Sequence, residues 1–186
     1  DIFSDMLNGD WTLAKLDECT KDFTRDLNGD GNISLTDDQI GYVHVPSEIT
    51  AASHYIGAGM SLSETDGSGK IIVPMNTERS VDVINRLTAI FTTLKNNAIT
   101  SSSTDTIFED GRALFYGNSL ADITNNFRGM NDDFGIIPCP KYDDGQAEYR
   151  SVEYFRSGDG RIYDGGDVLS FIRNRASGDL RRGAQG

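Results

Sequence analysis

Apolar residues recur along this chain with two different periods. Leu13, Leu16, Thr20 and Phe23 fall three to four apart, which predicts an amphipathic helix with Thr12 as its N-cap. Trp11, just ahead of the cap, is placed to act as a hydrophobic staple against that helix. Ile40, Gly41, Tyr42, Val43, His44 and Val45 then form a short run without helical spacing, which predicts a strand. A second helix is expected where Asn76 or Thr77 can cap the series Val81, Ile84, Leu87, Phe91 and Leu94. Residues 92–105, rich in Thr, Ser and Asn, predict the end of that helix and a loop. The apolar runs Ala113–Gly117 and Phe134–Pro140, bounded by Gly and Pro, predict buried strands, and between them Ser119 is expected to cap a short helix reaching about Met130. Helix and strand patterns alternating as far as about Arg150 point to α/β or α+β layers.

Residues 152–186 form an atypical tail. From residue 156 onward there are six Arg, no Lys and seven Gly, and only Val168, Leu169, Phe171 and Ile172 cluster as apolar residues, enough for a helical turn or two.

Composition narrows the possible functions. With 37% hydrophobic and 25% charged residues over 186 positions, the chain can bury a core, and no apolar run approaches the roughly 20 residues a membrane helix needs. A net charge of −12 repels phosphate backbones and argues against nucleic acid as a partner. Cys19 and Cys139 have neither CxxC spacing nor a nearby His for zinc; one disulfide is open to them, but two buried thiols is the simpler expectation. No targeting segment stands ahead of Asp1, so any such signal has been removed or lies outside this stretch.

The sharpest motif is DLNGDGNISLTDDQIGY, Asp26 to Tyr42. Counted from Asp26, side-chain oxygens fall at Asp26, Asn28 and Asp30, Gly31 sits at the tight turn, and Asn32 offers its carbonyl. Ser34 stands at the water-mediated position and Asp37 closes the loop where the EF-hand pattern usually has Glu. These six residues are the expected ligands of a structural Ca²⁺. The bland alternative is an acidic turn that binds nothing, since Asn, Asp and Gly are also the commonest turn formers.

Four stretches, NGDWTLAKLDECTKDFTRDLNGDGNISLTDDQIGY, IGAGMSL, FEDGRALFYG and DDFGIIPCPKYDDGQAEYRS, together resemble the extracellular, family 1-type solute-binding proteins that deliver sugars to bacterial ABC importers. The resemblance covers residues 1–151 and corresponds to the second lobe of a type II periplasmic-binding-protein-like α/β fold, with a first lobe expected ahead of Asp1. It implies capture of a sugar or oligosaccharide, docking of the full-length protein on ABC importer membrane subunits, an extracellular location on a lipoprotein-type anchor, and no enzymatic activity. The family would return through a hinge after residue 151 with an apolar strand, and the tail does not read as one. A truncation scar, an out-of-frame extension and a divergent terminus are the readings of the tail.

Within that resemblance the ligand-binding candidates are His54, Tyr55, Gly57 and Gly59 beside the second stretch, Tyr116, Gly117, Asn118 and Ser119 after the third, and Arg150 near the crossing to the other lobe. Aromatic faces would pack on the sugar ring while amides, hydroxyls and Arg bond its hydroxyls. The duller roles are core edge for the tyrosines and turn-making for the glycines. No GxSxG, HExxH, P-loop or dinucleotide fingerprint suggests catalysis. The second function class is a calcium-dependent protein-interaction module, because the loop also resembles one dockerin repeat. Dockerins need two repeats, and the nearest second candidate, SGDGRIYDGGD, has Phe155 at the first ligand position and Gly166 at the last.

Overall fold

The computed structural model describes residues 1–44, 48–91, 97–99, 104–151, 154–156, 162–164 and 168–173, with backbone alone at 48–49, 97–99, 104–105 and the last three stretches. Helices α1 (Ile2–Asn8), α2 (Leu13–Phe23), α3 (Glu48–Gly57), α4 (Glu78–Phe91), α5 (Thr104–Glu109) and α6 (Ala121–Asn125) are interspersed with strands. These are β1 (Ile40–His44), β2 (Glu64–Thr65), β3 (Ile71–Ile72), β4 (Asn97–Ile99), β5 (Ala113–Ser119), β6 (Phe134–Ile137), β7 (Tyr154–Arg156), β8 (Ile162–Asp164) and β9 (Val168–Arg173).

Among the described residues, five strands make the central sheet in the order β4-β1-β5-β9-β6. β1 runs parallel to β4 and β5, while β9 is antiparallel to both β5 and β6. A parallel core joined through helices is an α/β arrangement. Every residue of β1 is buried, as expected of a strand covered on both faces. Tyr42 and Phe115, partners across β1 and β5, join a cluster with Trp11, Leu13 and Leu16 around α2, Tyr55 of α3, and Val83, Leu87 and Ile90 of α4. Val43 and Tyr116, the next pair along, join the opposite cluster with Ile107 and Phe108 of α5 and Phe127. Alternate side chains of two adjacent strands thus seed two cores.

α2 follows the sequence pattern closely. Thr12 Oγ1 accepts the Lys15 N–H at 3.3 Å, and Leu13, Leu16 and Thr20 face inward. Gly41 explains how near α2 comes to β1: a Cβ there would lie 2.4 Å from Thr20 Cα and Cβ and 2.5 Å from the Thr20 carbonyl oxygen. Because main-chain atoms cannot swing aside, Gly41→Ala is expected to cost about 1–3 kcal/mol or more through overpacking. A lower urea midpoint at unchanged slope would register it, and an unchanged midpoint would count against this contact.

Five expectations need correction. The apolar run Phe134–Pro140 is a strand only over Phe134–Ile137 and is not a buried one, since β6 stands last in the strand order and Ile136 is 38% exposed. Helix α4 is capped by Thr77, whose Oγ1 accepts the Ser80 N–H at 3.1 Å, but its buried stripe is Ser80, Val83, Leu87 and Ile90. Val81 and Ile84 are 54% and 41% exposed, because the Ser80 hydroxyl bonds Tyr55 and the Pro74 carbonyl inside and rotates the face by one residue; Leu94 lies outside the described residues. Within 92–105, β4 occupies Asn97–Ile99 and α5 begins at Thr104, where a loop was expected; pairing with β1 creates this strand. Ser119 is not a helix cap: pairing with β9 extends β5 through it, α6 starts after Leu120 without a side-chain cap, and a 3-10 turn covers Phe127–Gly129. Finally, Val168–Arg173 is no helical turn but β9, held between β5 and β6, and β7 and β8 pair as a separate antiparallel ribbon.

Candidate functional site

Two places gather the residues singled out by sequence. The first is the loop between α2 and β1. Asp26 accepts the Gly29 N–H on Oδ1 at 2.7 Å and the Gly31 N–H on Oδ2 at 2.8 Å. Asn28 Oδ1 accepts the Asp30 N–H at 2.9 Å, Asp30 Oδ1 accepts the Asn32 N–H at 2.8 Å, and the Asn28 amide donates to Asp30 Oδ2 at 3.3 Å. Gly31 turns the chain at φ +84°, a conformation glycine adopts without the Cβ penalty. Asp26, Asn28, Asp30 and Asn32 are therefore brought together. Ser34 and Asp37 pair with each other instead, the Asp37 N–H donating to Ser34 Oγ at 3.1 Å.

An all-oxygen set of two or three carboxylates, amides and a hydroxyl is the donor chemistry that suits Ca²⁺. Carboxylates alone do not form the set: among the described residues no three His, Cys, Asp or Glu side chains stand together as a metal-holding group. Two residues missed by the motif count complete the loop, Asp38 and Arg112. Asp38 is fully covered, and the Ser34 and Leu27 N–H groups hold its carboxyl below the usual range. Its one sequence signal was its place beside Asp37, whereas Arg112 is distant in sequence and had none.

The second place is the carboxyl end of β1 and β5. From β1 the chain proceeds to β4 on one side, and from β5 toward β6 on the other. In open α/β sheets the region outside the carboxyl ends of strands at such a reversal is the usual ligand position. His44 and Gly117 are register partners there, and Asn118 and Ser119, both partly exposed, extend beyond them. Asn118 donates to the Tyr116 hydroxyl at 2.7 Å, Tyr116 donates to Asp122 Oδ2 at 3.3 Å, and the Asn126 amide donates to Asp122 Oδ1 at 2.9 Å. Asp122 and Asn126 were not foreseen, since only the return of α6 over β5 brings them here.

The remaining candidates are placed mainly by packing. Tyr116 is 1% exposed, Tyr55 4% and His54 3%, so their rings are enclosed. Tyr55 shares a 2.8 Å hydrogen bond with the Ser80 hydroxyl. His54 Nδ1 bonds the Thr50 carbonyl at 2.8 Å and Nε2 lies 2.8 Å from the Tyr42 hydroxyl. A carbonyl only accepts, so Nδ1 carries the proton and the neutral Nε2 accepts from Tyr42. Burial pushes the His54 pKa down to about 4. Gly57, Gly59 and Arg150 meet around Gln146: the Gln146 amide donates to the Gly57 carbonyl at 2.8 Å, and Arg150, which is exposed, reaches the Gly59 carbonyl at 3.4 Å. A Cβ on Gly57 would stand 2.5 Å from Cys139 Cβ, so close packing explains that glycine. Both cysteines are free thiols, but only Cys139 is buried; Cys19, expected to be buried as well, is half-buried, and that burial raises its thiol to about 11.

No protein-family model matches the chain, and no curated protein matches it. Among the described residues no helix is long and apolar enough to cross a membrane.

Proposed function

We propose that this chain is the second lobe of an extracellular, sugar-type solute-binding protein of an ABC importer, carrying a structural Ca²⁺ in the loop Asp26–Asp37. The observation that supports it best is the reversal of strand order at β1 and β5, with partly exposed Asn118 and Ser119 at the carboxyl end of β5. Polar side chains at such a switch point suit hydroxyl-rich ligands, although an α/β sheet alone does not imply a function. With Tyr55, Tyr116 and His54 enclosed, the ligand contacts of this lobe fall to Asn118, Ser119 and the exposed Arg150. Catalysis has no role in this reading; recognition by hydrogen bonds does.

Calcium in the same reading ties the exit of α2 to the entry of β1. Asp26, Asn28, Asp30, the Asn32 carbonyl, Ser34 and Asp37 would hold it, and its charge would offset the acidic loop. The element leaving the loop is β1, where a dockerin-type repeat needs a helix, so nothing in the geometry favours the interaction-module alternative.

Sugar recognition is tested by titrating mono- and oligosaccharides against this chain alone and against the chain joined to a first lobe. Weak binding alone and much tighter binding by the joined form are expected, because half the contacts and the closing motion are otherwise missing. No binding by either form would reject the reading. For calcium, thermal melts with and without chelator should differ by about 2.7 kcal/mol of stability at a hundredfold excess of Ca²⁺ over Kd. Identical midpoints would argue that the loop binds no metal.

A further inference from the structure

At the base of the loop stands a carboxylate that the ligand spacing passes over. Asp38 is fully covered. Its Oδ1 accepts the Leu27 N–H at 2.8 Å and its Oδ2 accepts the Ser34 N–H at 2.7 Å. Leu27 follows the first expected ligand, and Ser34 is itself one, so a single side chain joins the entering and returning arms. Arg112, from the turn before β5, donates to the Leu35 carbonyl at 2.7 Å and to the Asp38 carbonyl at 3.3 Å. Below them Arg25 and Gln39 exchange main-chain hydrogen bonds at 3.0 and 3.1 Å.

Hydrogen bonds from amides to a carboxylate are stronger than neutral ones, and a planar carboxylate fixes the separation of two donors. Ordering a loop costs backbone entropy whether an ion or the protein does it. Here the protein supplies the closure: the base is laced by Arg25 and Gln39, the outer arm by Arg112, and the two arms by Asp38.

We propose that Asp38 is the positioning residue of this loop, holding it closed without metal so that an ion enters a preformed site. The second half of that statement rests on the calcium reading, whereas the clamp does not.

The test pairs amide hydrogen exchange in chelator with calorimetric Ca²⁺ titration, on wild type, Asp38→Asn and Asp37→Asn. Asparagine at 38 keeps the shape but sets an NH₂ against an N–H donor. The Leu27 and Ser34 amides are expected to be protected in metal-free wild type, to lose that protection in Asp38→Asn, and to keep it in Asp37→Asn. Calcium affinity should fall roughly 10- to 100-fold in Asp38→Asn, the range seen when a partner of a metal ligand is removed. Freely exchanging Leu27 and Ser34 amides in metal-free wild type would overturn the clamp, and that measurement decides even should Asp38→Asn fail to fold. Wild-type calcium affinity in Asp38→Asn would overturn the positioning role. Absence of calcium binding by wild type, with Asp38-dependent protection intact, would overturn the calcium reading and the metal half of the proposal while leaving the clamp standing.

Discussion

Trp11→Ala is expected to lower stability by about 3–5 kcal/mol, the range for removing a fully buried Trp or Phe side chain. Trp11 has no exposed surface, packs its ring 5.4 Å from that of Phe115, and donates its indole N–H to the Pro138 carbonyl at 2.9 Å. Its main chain is tied as well: the Trp11 N–H bonds the Tyr149 hydroxyl at 3.1 Å, and its carbonyl accepts the Lys141 N–H at 3.1 Å. Trp11 therefore joins the start of α2 to the segment after β6 and to the face of β5. The truncation leaves a cavity among residues that cannot close over it and orphans the Pro138 carbonyl. Against a typical total of 5–15 kcal/mol, that loss takes much of the stability of the fold. Trp11→Phe, which keeps most of the volume and gives up the hydrogen bond, should cost markedly less. Chemical denaturation followed by circular dichroism measures both, since Trp11→Ala removes the single Trp and its fluorescence. A Trp11→Ala protein that denatures like wild type but loses sugar affinity would reverse the assignment, making Trp11 a ligand platform instead of a staple.

Acidification from pH 6.5 to 4 should remove on the order of 3 kcal/mol through His54 alone. In the unfolded chain His54 takes up its proton near the ordinary value of 6.5, whereas the folded protein resists until about 4. The cause is chiefly burial; the Thr50 carbonyl acts in the opposite sense and His44 adds to the depression. Between those two values the unfolded state binds more protons than the folded one, so stability rises with pH across the window and is lost as pH falls through it. Below about 4 both states are protonated and the loss is complete. Phe91 lies against this site, its ring 4.6 Å from that of His54 and 5.4 Å from that of His44, so the cost of a charge is borne where α4 and β1 meet. His54→Gln should flatten the stability profile by up to about 1.4 kcal/mol per pH unit within the window. Urea midpoints measured at several pH values decide it, and a slope unaltered by His54→Gln would assign the pH dependence to other groups.

Trp11 and His54 differ in how visible their roles are in the sequence. Trp11 ahead of a capped helix was legible as a staple, and Leu16, one turn into α2, lies with it in the same buried cluster. His54 was legible only as a polar residue near a loop; its enclosure by Tyr42, Thr50 and Phe91 depends on α3 and α4 folding back over β1. The ligand candidates divide in the same way. Asn118 and Ser119 do stand at a strand end, as their place after an apolar run suggested. Tyr55 and Tyr116 point their hydroxyls to Ser80 and Asp122, partners 25 and 6 residues away, and so belong to the interior. Nothing in the local pattern distinguishes those outcomes.

Local chemistry by itself determined the start and face of α2, the apolar runs that become β1, β5 and β6, and the oxygen spacing and glycine turn of the Asp26–Asp37 loop. Each of these depends on residues within about one or two turns of one another, where capping, side-chain period and backbone sterics act directly. The tertiary structure alone decided that Asn97–Ile99 is a strand, that Val168–Arg173 runs between β5 and β6, that α4 buries Ser80 and exposes Val81, and that Asp38 and Arg112 close the loop. Those outcomes come from hydrogen bonds and close packing between segments far apart in the chain, whose free energy exists only once the sheet has assembled.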